Sequence, residues 1–87
     1  MAKYKITFKR SVTKDLRGIA STDVKRILHK IDSLAENPRG EGSVKLSAQE
    51  CYRVRQGIYR IVYEIRDEAL IVQVVRVAHR STVYKGN

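Results

Sequence analysis

The chain has 87 residues with 18 Lys plus Arg against 9 Asp plus Glu, one Cys, one Pro and no Trp, a length that fits one domain, 1–87, with a single small core. A hydrophobic share of 43% beside a charged share of 31% belongs to a folded domain and excludes a disordered tail, a collagen or a coiled coil, while the absence of an apolar run of about 18 to 20 residues excludes a membrane span and makes the cytoplasm the expected location. The net charge of +9 attracts polyanions, nucleic acid first, and equally an acidic protein.

Residues 3 to 9 alternate, with Tyr4, Ile6 and Phe8 on one side and Lys3, Lys5, Thr7 and Lys9 on the other, which predicts a half-buried strand. From Arg10 the apolar residues Leu16, Ile19, Val24, Ile27, Leu28, Ile31 and Leu34 recur at spacings of three and four. The period predicts two amphipathic helices, about 10 to 20 and about 22 to 36, folded as an antiparallel hairpin. Gly18 and the Ser21-Thr22-Asp23 run separate them, and those three side chains are suited to capping a helix start. Asn37-Pro38-Arg39-Gly40 ends the second helix, because the residue before proline is pushed out of the helical region.

A short strand near Val44 to Leu46 follows, and then the signal is all strand: Tyr52 to Arg55, Ile58 to Ile65 and Leu70 to Val77, separated by hairpin turns at Gln56-Gly57 and Asp67-Glu68. Two-residue turns there set Arg53 opposite Arg60 and Arg55 opposite Ile58. Tyr52, Val54, Tyr59, Ile61, Tyr63, Ile65, Leu70, Val72 and Val74 then form the apolar face that the helices cover, with Arg76 as its polar exception. The expected fold is α+β: an N-terminal strand, a helix hairpin packed on a twisted antiparallel sheet of about four strands, and a short C-terminal helical turn.

The same register leaves Arg53, Arg55 and Arg60 together on the sheet face away from the helices. Like charges opposed across a strand pair are destabilising, so a sequence shaped for folding alone tends to avoid them. Beyond the last strand, Arg80 and Tyr84 are four residues apart and share a face if the tail makes a helical turn. Cys51 has no positioned base and lacks the spacing of a zinc site, so it reads as a small buried residue; Tyr52 and Tyr63 read as packing, and Glu64 as a surface ion pair.

Strand, helix hairpin and antiparallel strands in that order, with Pro38 closing the helices and the segments CYRVRQGIYRIVYEI and IVQVVRVAHRSTVY, resemble the RelE branch of the RelE/ParE toxin superfamily over essentially the whole chain. The resemblance implies a toxin of a type II toxin–antitoxin pair that cleaves messenger RNA on the ribosome, without a metal ion or other cofactor, and so inhibits translation. It implies contacts with 16S ribosomal RNA, a cognate acidic antitoxin, and operator DNA reached only through that antitoxin. Family catalytic positions fall on Arg53, Arg55, Arg60, Arg80 and Tyr84. The best-known members have lysines at the first two positions. Arginine is effectively always charged and a poor general base, so Arg53 and Arg55 are expected to clamp phosphate, with proton transfer falling to Tyr84 or to His79. Two other readings stay open: a ParE-type toxin that inhibits DNA gyrase without nuclease activity, and a non-catalytic basic RNA-binding module.

Overall fold

The computed structural model describes residues 3–46 and 50–81. Strand β1 (Lys5–Phe8) leads into helices α1 (Ser11–Arg17) and α2 (Ser21–Ser33), followed by β2 (Val44–Lys45), β3 (Cys51–Gln56), β4 (Tyr59–Arg66) and β5 (Ile71–His79). The strands form one sheet in the order β1-β5-β4-β3-β2, in which β1 runs parallel to β5 and the other pairings are antiparallel. The α+β class is as expected. The sheet has five strands rather than about four, and it is mixed, because the helix pair carries the chain from β1 back so that β5 can enter between β1 and β4.

The helices are shorter than their periodicity. Ala20, not a residue of the Ser21-Thr22-Asp23 run, occupies the N-cap of α2, and none of the three makes a side-chain capping bond; Asp23 lies in the first turn, where its charge suits the helix dipole. Helix α1 packs on β5, and α2 on β3 and β4. Val12 from α1 and Ile27, Ile31 and Leu34 from the second helical segment meet Tyr52, Val54, Ile61, Tyr63, Ile65, Val72, Val74 and Val77 in one core. Phe8 and Leu70, both expected on the inner face, are exposed, at 46% and 41%. Leu70 sits in the connection after β4, where the chain makes a 3-10 turn (Asp67–Ala69) and leaves it with Leu70 in the left-handed region at φ 53°. That connection is longer than the expected two-residue turn, and Arg66 pairs with Ile71 across it.

Tyr63 is fully buried and donates its hydroxyl to the Pro38 carbonyl at 2.6 Å, fixing the exit of α2 against β4. Burial pushes its phenol up to about 12. At the same end of the sheet Arg39 grips both carboxylate oxygens of Asp67 at 3.0 and 2.8 Å, donates to the Tyr52 hydroxyl at 3.1 Å, and pairs with Glu50. Tyr4 donates to the same Asp67 at 2.6 Å. This latch joins the residue before β1, the loop after α2, β3 and the β4–β5 connection. Among the described residues, no helix is long and apolar enough to cross a membrane.

Candidate RNA-cleavage site

The β3–β4 hairpin turns at Gly57-Ile58, with Gly57 at φ 61° and Gln56 paired to Tyr59. A positive φ at the first central residue is what a type II′ turn requires, and glycine supplies it without strain. The turn is therefore centred one residue later than expected. Arg55, not Arg53, faces Arg60, and Arg53 faces Val62. Moving a turn by one residue slides the register by two, so every side chain keeps its face. Arg53, Arg55 and Arg60 share the side away from the helices.

The second strand pair changes more. Tyr63 pairs with Val74 but Val62 pairs with Arg76, so β5 carries one extra residue, Val75, as a β-bulge. Beyond it the alternation inverts. Arg76, expected on the helix side, lies on the arginine side across Val62 from Arg53, and Val77 takes the core position. The signal was present in the sequence: one arginine interrupting an apolar face is what a shift of phase looks like. Lys9 donates to the Val74 carbonyl where β1 ends. The Val77 amide, past that point on the unflanked edge, donates instead to the Asp15 carboxylate of α1 at 3.0 Å.

The face thus holds two rows across β3, β4 and β5: Arg53, Val62, Arg76, and nearer the hairpin Arg55, Arg60, Ala78. Arg80 lies one row beyond, opposite Ile58 at the hairpin end, because its amide donates to the Ile58 carbonyl at 2.7 Å and continues the ladder past His79. Among the described residues, Arg53, Arg55, Arg60 and Arg80 pair with no carboxylate, whereas Arg39 and Arg66 do. Arg60 Nε is buried and has no hydrogen-bond partner among them. Polar groups withdrawn from water are normally satisfied, so this donor is an exception in the fold.

His79 is not brought to this face. It pairs with Tyr59 on the helix side, its ring edge-on to that tyrosine at 5.9 Å, and its Nδ1 accepts from the Ser81 amide at 3.0 Å. An accepting Nδ1 leaves Nε2 to carry the proton in the neutral ring. Tyr84 lies outside the described residues. Cys51 is only partly buried, on the arginine side opposite Glu64, and partial burial raises its thiol. Glu64 pairs with Arg66 at 3.5 Å. Among the described residues no three His, Cys, Asp or Glu side chains are grouped to hold a metal ion.

The family model for the ParE toxin of the type II toxin–antitoxin system parDE matches residues 6–84. The chain belongs to the RelE/ParE toxin superfamily. Within it, the relatives carry the other branch's name. The chain is 32% identical over 85 residues to the mRNA interferase toxin RelE of Escherichia coli, covering 93% of this chain and 90% of that one. Its fold matches a chain of the Mycobacterium tuberculosis toxin–antitoxin complex RelBE2 with a TM-score of 0.80 at 25% identity, covering 90% of this chain and 99% of that one. It also matches a chain of the intact E. coli RelBE toxin–antitoxin complex with a TM-score of 0.78 at 27% identity, covering 91% and 99%.

Proposed function

We propose that this superfamily member is the messenger-cleaving toxin of a type II pair: a metal-independent, ribosome-dependent endoribonuclease acting in the cytoplasm, where its substrate is translated. The observation that carries the reading is the opposed pair Arg55 and Arg60, with Arg80 one row beyond, three arginines that pair with no carboxylate among the described residues. Such an opposed pair costs stability and gains it back when an anion arrives.

In the reaction the 2′-oxygen of one nucleotide forms a bond to the adjacent phosphorus while the bond from phosphorus to the 5′-oxygen of the next nucleotide breaks. The 2′-hydroxyl proton leaves to a base and the departing oxygen receives a proton. Arg55, Arg60 and Arg80 stabilise the extra charge that develops on the phosphate oxygens, worth several kcal/mol in a site closed to water. The protein need supply little covalent chemistry if the 2′-oxygen is held in line, and the ribosome provides that alignment. Tyr84, a family catalytic position outside the described residues, is the favoured proton carrier, because a phenol set among arginines would have its ionised form favoured; His79, on the other side of the sheet, is second. A cognate acidic antitoxin restrains the activity, by covering the arginine face or displacing the Tyr84 tail, and operator DNA is met only through it.

The ParE description of the matching family favours one rival, a gyrase inhibitor without nuclease activity. Purified protein added to translating ribosomes, beside a gyrase supercoiling assay, separates them. Cut messenger with normal supercoiling supports the proposal. Intact messenger with inhibited supercoiling refutes it.

A further inference from the structure

Resting on that reading, we infer that Arg76 is a substrate-binding residue that, with Arg53, holds the phosphate next to the one being cleaved. Arg76 is exposed on the arginine side only because of Val75: without the extra residue it would point to the helices, as strict alternation requires. Bulges that re-aim a side chain gather near binding sites, and this one is built in, since Asp15 supplies the acceptor that the Val77 amide needs at the unflanked edge of β5.

The geometry suits two phosphates. The rows lie two residues apart along each strand, about 6.8 Å, and Arg53 and Arg76 stand on strands two ladder steps apart, about 10 Å, on either side of Val62. One row therefore cannot serve as a duplicate of the other. Arg55 and Arg60 take the reacting phosphate, with Arg80 reaching it from the next row on the hairpin side, and Arg53 and Arg76 close on its neighbour from the opposite side. A residue that grips a phosphate where no charge develops binds ground state and transition state equally, so it lowers KM and leaves kcat alone.

The test uses ribosomes programmed with a short messenger, in single-turnover kinetics, and in parallel the binding of the toxin to ribosomes whose messenger carries a 2′-deoxy nucleotide at the cleavage position, measured across salt concentrations. Arg76→Ala should raise KM roughly three- to tenfold with kcat within about twofold, and should reduce the slope of log affinity against log salt by about one. Arg76→Lys, which keeps the charge, should keep the slope. Arg76→Gln repeats the measurement if the alanine variant is poorly folded. An unchanged slope in both neutral variants, or a loss confined to kcat, would overturn the assignment. If wild-type protein binds but leaves the cleavable messenger intact, the functional reading fails, and the salt slope alone still decides for or against Arg76.

Discussion

Arg55 on β3 and Arg60 on β4 lie directly opposite each other, two guanidinium groups in register with no carboxylate pairing either of them among the described residues. Folding stability and phosphate binding pull on this pair in opposite directions. An opposed like-charge pair costs about half a kcal/mol in a free strand pair, and the same two charges become favourable once a phosphate lies over them.

Arg60→Gln should therefore show opposite signs in two assays. Thermal unfolding should be unchanged or raised by a degree or two, while the rate of messenger cleavage should fall roughly ten- to a thousandfold. Arg80→Ala should lose rate similarly. If both variants kept full ribosome-dependent cleavage, these arginines would have no part in the chemistry.

Replacing Tyr84 with Phe keeps the ring and removes the hydroxyl. A proton-carrying Tyr84 predicts severe loss of rate in Tyr84→Phe and a mild effect of His79→Ala, whose ring packs against Tyr59 on the helix side. The reverse ranking would assign the proton to His79 and leave Tyr84 to stack on a base.

Asp15 contributes through one bond. Without its carboxylate the Val77 amide, in a buried residue, loses its acceptor, so Asp15→Ala should lower unfolding free energy by about 1 to 3 kcal/mol in a denaturant titration. Asp15→Asn retains an acceptor oxygen and should recover much of the loss. Equal stability of all three proteins would show that the bulge is held by other contacts.

The latch at the far end of the sheet gives a pH dependence. Arg39, and after it Tyr4, hold the Asp67 carboxyl at about 2, below its ordinary 3.8. A depressed folded-state value contributes stability that is present above the ordinary value and is lost as pH falls toward about 2. Stability should thus drop between about pH 4 and pH 2 in the wild type more than in Asp67→Asn, as read from melting temperatures across that window. Parallel pH profiles for the two proteins would contradict this.

Much of the architecture was legible because period and punctuation are local. The change from alternation at Tyr4 to Phe8 to a spacing of three and four after Arg10, and the stop at Asn37-Pro38, marked the order of elements. What alternation could not show were departures from it. Gly57 could stand first or second in its turn, and only the fold chose. Val75 breaks phase without any residue type that marks a bulge, so Arg76 was set on the wrong face. Parallel pairing of β1 with β5 joins residues far apart in the chain, beyond any local pattern. Arg39, the centre of the latch, read as part of a turn, since its partners Glu50, Tyr52 and Asp67 are brought to it only by folding.

The most direct test of the central claim is a pair of messengers on translating ribosomes that differ by one oxygen. The cut is first mapped on the all-ribose messenger, and a single 2′-deoxy nucleotide is then placed at the 5′ side of the cleaved bond. Attack by the 2′-oxygen predicts cleavage of the first messenger, with a cyclic 2′,3′-phosphate on one product end and a 5′-hydroxyl on the other, and no cut at that bond in the second. Cleavage of both at the same bond would contradict the account.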